Sequence, residues 1–143
     1  MAITIQRAEN SDAAAIHQLE TQVYGEEVTN RYDTPMFIRF GYVFVAQDDG
    51  KIMGVIQAIK TNRDEIKVNS WFVHPEYQRR GIGRKLYQRL IQETRGHDVV
   101  AIVLDDNHLS FQAHRQLGFT VVEQLADPFS LGQPGVLMRR THR

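Results

Sequence analysis

The chain has 143 residues, a length that favours one domain with a continuous core, and its 42% hydrophobic and 24% charged residues lie near globular averages, which excludes a disordered or fibrous chain. Its 17 Lys and Arg balance 17 Asp and Glu to a formal net charge of zero, which argues against a protein whose main task is to coat nucleic acid or an anionic membrane. The chain has no cysteine, and hence no disulfide, thiolate nucleophile or thiolate metal site; with no signal-peptide run and no apolar stretch near the ~20 residues of a membrane span, the expectation is one soluble, cytoplasmic domain over residues 1–143.

Ile3 and Ile5 alternate with Thr4 and Gln6, which predicts a short half-buried strand. Asn10-Ser11-Asp12 offers capping oxygens to a helix carrying Ile16, Leu19 and Val23 on one face and closed by Gly25. The polar stretch from Glu26 to Asp33 follows, and Thr34-Pro35 predicts the cap and first residue of a short helix ending at Gly41. This stretch reads as a substrate lid. Two apolar runs, 42–46 and 52–59, flank Asp48-Asp49-Gly50-Lys51, and Asp-Gly in that setting predicts a hairpin. A polar turn at 61–64 leads to a third strand, Glu65 to Val73, completing an antiparallel meander.

After a Gly-rich turn, Leu86, Tyr87, Leu90 and Ile91 make one stripe of a helix, and Asp98 to Leu104 reads as a strand whose apolar run 99–104 predicts burial on both faces. A strand, crossover helix and strand in that order pair in parallel with right-handed topology. Asp105-Asp106-Asn107 ends that strand and offers a cap to a further helix, Leu109 to Leu117, stopped by Gly118, with Leu109, Ala113 and Leu117 as its apolar stripe and Ser110 and His114 at the border. Strands at Phe119 to Glu123 and Val136 to Met138 end the chain. The predicted class is α/β, with a mixed, mainly antiparallel sheet of six to seven strands flanked by helices.

The stretch Val73-His74-Pro75-Glu76-Tyr77-Gln78-Arg79-Arg80-Gly81-Ile82-Gly83-Arg84-Lys85 carries the chemistry. The first N–H groups of a helix lack internal partners and carry the positive end of the peptide dipoles; two glycines let an anion approach them, and Arg79, Arg80, Arg84 and Lys85 add charge. A pyrophosphate suits such a cradle, and the alternative is a tight turn before a solvated basic helix start. A nucleoside-triphosphate loop needs Gly-Lys followed by Ser or Thr, and a dinucleotide fingerprint needs a third Gly where Leu86 stands, so both are excluded.

This stretch resembles the acetyl-coenzyme A signature of the GCN5-related N-acetyltransferases, and Asn107, Ser110, His114 and Gly118-Phe119 resemble the second motif of that family at the right separation. The resemblance implies a GNAT-like fold along nearly the whole chain. It implies that the backbone of Phe72 and Val73 pairs with the pantetheine arm, that Gln78 and the amides of Arg79, Arg80, Gly81, Ile82, Gly83, Arg84 and Lys85 hold the pyrophosphate, and that Asn107 and Ser110 lie along the cofactor. His114 then sits near the thioester sulfur, where the family commonly has Tyr, and is the general acid candidate. The family often places a Glu base at the position of Lys67, which cannot take a carboxylate's role. Glu65 on the same strand face is one base candidate, Glu26 and Glu27 are others, and a water chain is a further route.

Tyr24, Glu26, Glu27, Tyr32 and Trp71 are candidate acceptor-binding residues, although such aromatic residues also build cores. The six histidines show no metal-ligand spacing, so no metal is expected. The function that the resemblance implies is acetyl transfer from acetyl-coenzyme A to a primary amine of a small molecule, in a cytoplasmic homodimer joined through the C-terminal strands, without nucleic-acid or membrane partners. A protein N-terminus or lysine is the rival acceptor, and a non-catalytic acyl-coenzyme A sensor is the rival of another class.

Overall fold

A computed structural model describes residues 2–143. Seven strands and four helices follow in the order β1 (Ile3–Arg7), α1 (Ala13–Tyr24), α2 (Asp33–Phe40), β2 (Tyr42–Asp48), β3 (Lys51–Lys60), β4 (Ile66–Val73), α3 (Ile82–Glu93), β5 (Val99–Leu104), α4 (His108–Gln116), β6 (Thr120–Leu125) and β7 (Gly135–Arg140). The strands make one mixed sheet in the order β1-β2-β3-β4-β5-β7-β6. Helices and strands fall where the sequence periods put them, with ends displaced by a residue or two. Thr34, expected as a cap, lies inside α2 and is buried, because α2 already starts at Asp33.

Contacts group the residues into two compact units, one running to Ile59 and resuming over Asn69–Glu93, the other formed by Lys60–Val68 and Thr94–Arg143. In the first, β1, β2 and β3 pair antiparallel, and the Asp49-Gly50 turn joins β2 to β3 as the hairpin signal predicts. One sheet face, carrying Val43, Val45, Val55 and Phe72, packs with Ile16 and Leu19 of α1. The other face meets α3: Arg89 lies 5.3 Å over the ring of Phe44, and Gly54 opens onto Leu86. The alternation of β2 thus serves two helices, which is why its run reads as almost continuously apolar.

In the second unit β5 pairs parallel with β4 and antiparallel with β7, which pairs in turn with β6. The β4–β5 ladder is short, covering Ile66↔Val99 and Lys67↔Val100. On α4 the expected apolar stripe is rotated. Leu109 is 85% exposed, whereas His114, placed at the border by the sequence, is 3% exposed and stands edge-on to Phe119 at 5.1 Å. The hydrogen bond from Phe119 N–H to the His114 carbonyl at 3.0 Å closes the helix against the next strand and turns this face inward.

Gly41 leaves α2 for β2 with a backbone that any residue adopts, but a Cβ there would run into the carbonyl of Ala58 and lie 2.9 Å from that of Phe37. Gly41→Ala is therefore expected to destabilise the fold by about 1–3 kcal/mol, read as a lower midpoint in urea unfolding with an unchanged slope.

Candidate active site

The turn between β4 and α3 has the backbone of an anion cradle. Arg79 and Gly81 both adopt left-handed backbone, with φ of 64° and 78°. Left-handed residues set among ordinary ones turn successive N–H groups toward one point, and the start of α3 adds its own free N–H groups. Nothing lies within 4 Å of where a Cβ of Gly81 would stand, so the concavity is open there. At Gly83 the space is filled: a Cβ would come 3.2 Å from the Trp71 ring, whose indole N–H donates to the Gly83 carbonyl at 3.0 Å. Trp71 also stands edge-on to Tyr87 at 4.7 Å. Its indole is thus packed beneath the cradle.

The approach to the cradle is built from side chains that satisfy local backbone. His74 Nδ1 accepts the Glu76 N–H at 3.1 Å, so His74 is a turn residue. Gln78 donates through Nε2 to the Val73 carbonyl at 3.0 Å, which ties the end of β4 to the turn. Arg80 lies 5.0 Å over the ring of Tyr77, whose hydroxyl donates to Asp48 at 2.8 Å.

Behind β4, α1 supplies a polar group that the periodic reading passed over. Glu20 is fully buried, and its carboxylate accepts from Thr29 N–H at 3.1 Å, Thr29 Oγ1 at 3.0 Å, Gln57 Nε2 at 3.2 Å and Ser70 Oγ. The signal was legible, since Glu20 stands four residues after Ile16 on the apolar stripe and Gln57 interrupts an apolar strand. Tyr24, one turn further along α1, donates its phenol hydroxyl to the Trp71 carbonyl at 3.2 Å and meets Phe72 edge-on at 5.9 Å. Burial, more than the nearby Glu20, holds that hydroxyl above the ordinary tyrosine range. Glu27 pairs with His17 at 2.9 Å, and Tyr32 is 70% exposed beside Arg31. Glu26 is exposed.

The second unit holds the other predicted residues. The Asn107 side chain accepts from the Ser110 N–H at 3.1 Å and so caps α4. His114 Nδ1 lies 2.7 Å from the Ser110 carbonyl and 3.3 Å from its hydroxyl. A carbonyl only accepts, so Nδ1 carries the proton and Nε2 of the neutral ring is an acceptor. Burial pulls the imidazole below its ordinary 6.5, and the bond to Ser110 only partly opposes this.

Glu65 pairs with Arg139 at 2.9 Å, and Arg139 also reaches Asp98 at 3.2 Å. Lys67 donates through Nζ to the Val68 carbonyl at 2.7 Å, and burial lowers its pKa. A pocket of about 370 Å³ that the sequence did not suggest opens among Asp105, Gln124, Ala126, Pro134 and Val136.

The acetyltransferase (GNAT) family model matches residues 10–119. The chain is similar to an L-methionine sulfoximine/L-methionine sulfone acetyltransferase of Salmonella typhimurium, 31% identical over 86% of this chain and 83% of the relative. It is also similar, over 40% of its length and 35% of the relative's, to the L-amino acid N-acyltransferase MnaT of Escherichia coli, at 43% identity. Among solved structures, yncA of Salmonella typhimurium with its cofactor acetyl-CoA matches 100% of this chain and 95% of its own, with a TM-score of 0.84 and 26% identity. By motif, fold and kinship, the chain belongs to the GNAT family of acetyltransferases.

Proposed function

We propose that this enzyme transfers the acetyl group of acetyl-coenzyme A to the primary amine of a small, amino-acid-like molecule, the amine attacking the thioester directly in a ternary complex. The observation that carries the reading is the open cradle of Arg79–Lys85, with left-handed backbone at Arg79 and Gly81 and four cationic side chains around the first turn of α3. The amino acids named for two relatives support the acceptor class. The same reading makes the protein cytoplasmic and a homodimer joined along β6, where Val121 and Val122 are 40% and 49% exposed.

Acetyl-coenzyme A, when bound, supplies an activated acetyl thioester. The amides from Arg79 to Lys85 would hold its pyrophosphate, and Gln78, bonded to the Val73 carbonyl, would steady the approach. The backbone of Phe72 and Val73 would hold the arm, and a β4 N–H there would donate to the carbonyl oxygen as charge develops on it. Asn107, whose side-chain oxygen caps α4, would contact the cofactor, with Ser110 beside it.

His114 can donate a proton to the departing sulfur only as imidazolium, because Nδ1–H is already committed to Ser110. Its lowered pKa makes that form scarcer as pH rises, and a thiol of pKa about 8.5 leaves fairly well unaided. To accept a proton from the amine, Glu65 would have to weaken its pair with Arg139, and Glu27 its pair with His17; a water chain needs neither.

Gly81→Asp, which sets a carboxylate at the mouth of the cradle on a left-handed backbone, is expected to weaken acetyl-coenzyme A binding by at least about tenfold in calorimetry; unchanged affinity in a folded variant would remove the cradle assignment. Coenzyme A release with a panel of amino acids and other amines tests the transfer itself, and tight acetyl-coenzyme A binding without turnover on any amine would make the protein a sensor. His114→Phe is expected to lower kcat by less than about a hundredfold while leaving acetyl-coenzyme A affinity in place. Since the acid is the imidazolium, the ratio of wild-type to variant kcat should grow as pH falls from about 8 to about 6; a flat ratio would end the acid role.

A further inference from the structure

We propose that Glu20 is a positioning residue that sets the amine-acceptor side of the site, a role that rests on the acetyl-transfer reading above. Its four hydrogen-bond donors come from three places: Thr29 in the connection between α1 and α2, Gln57 on β3 and Ser70 on β4. None of these donors is charged, and among the described residues no cation pairs with Glu20. A carboxylate buried without a cation is tolerated only where donors fill its oxygens, as these four do. What it supplies is acceptor capacity for four donors in one group with no competing N–H. An apolar side chain would strand those donors, and a glutamine would turn an amide N–H₂ toward some of them.

What Glu20 holds is the segment next to the reacting strand. Thr29 closes the stretch from Gly25, and Tyr24 lies one turn beyond Glu20 on α1. Together the two side chains grip consecutive residues of β4, with Glu20 on Ser70 and Tyr24 on the Trp71 carbonyl and the Phe72 ring. Phe72 is where the pantetheine arm is proposed to lie. Tyr24 and Val28 are partly exposed beside this grip, so a loosened Thr29 changes the surface offered to an acceptor. None of the partners of Glu20 belongs to the cradle residues 78–85. Gln57 is oriented by the clamp as well: its Nε2 donates to Glu20, while its Oε1 is buried with no partner among the described residues.

The test compares the wild-type chain with Glu20→Gln and with Ser70→Ala, which keeps the carboxylate and removes one donor. With L-methionine sulfone as the amine probe, KM for the amine is expected to rise at least about fivefold in Glu20→Gln, and less in Ser70→Ala, while acetyl-coenzyme A affinity by calorimetry stays within about twofold. In hydrogen exchange, the Thr29 amide should exchange at least about tenfold faster in Glu20→Gln, with the amides of 86–90 unchanged. An unchanged amine KM, or amine KM and cofactor affinity worsening together, overturns the proposal, as does unchanged Thr29 exchange. If Glu20→Gln does not fold, Ser70→Ala decides by the same readouts. Should the wild-type chain turn over no amine, the acetyl-transfer reading fails; the exchange result still separates a Glu20 clamp from its absence.

Discussion

Much of the site depends on how one strand, β4, is held from both faces. On one face its Ser70, Trp71 carbonyl and Phe72 receive Glu20 and Tyr24 of α1; on the other the Trp71 indole donates to the Gly83 carbonyl at 3.0 Å and packs on Tyr87 of α3. Because successive strand residues point to opposite faces, neighbouring residues can fasten two helices without sharing a contact. Through the Trp71 indole, the anion cradle is tied to the same strand that is proposed to receive the arm of the cofactor. A Cβ at Gly83 would press on Trp71, so the requirement for glycine there comes from packing rather than from its dihedral angles.

The two units satisfy their carboxylates in different ways. The first keeps a carboxylate inside with neutral donors only, which demands that several of them converge. The second gathers its charges at the start of β5, where Asp98 meets Arg139 and His142, and the hydrogen bond from His142 is the main reason its carboxyl is held below the usual range. Exposed pairs of that kind are individually weak and screened by salt, whereas the Glu20 cluster is shielded. Glu65 sits among the charges around Arg139, a setting that explains its ion pair without any catalytic task.

His114 shows how packing alters a residue's chemistry. On sequence it is a rim histidine whose pKa near 6.5 suits proton delivery at neutral pH. In the fold it is buried against Phe119, its tautomer is fixed by Ser110, and desolvation favours the neutral ring. The burial of α4 is centred on 114, leaving Leu109 exposed, because the link between Phe119 N–H and the His114 carbonyl sets how the helix meets the next strand.

By itself the sequence determined the order of strands and helices, the hairpin at Asp49-Gly50, the parallel step from β4 to β5 and the turn from Arg79 to Lys85. Each of these follows from local signals: periods of 2 or 3.6, glycine at a turn, and charge next to a helix start. Only the tertiary structure decided the rest. It showed that Gln78 engages the Val73 carbonyl, that the Trp71 indole packs under the cradle, that Glu65 is already paired, and that Glu20 collects donors from residues 29, 57 and 70. Such contacts join residues far apart in the chain, and no periodicity encodes which buried carboxylate will meet which donor. The physical reason is that polar groups removed from water must find partners wherever the packed elements put them.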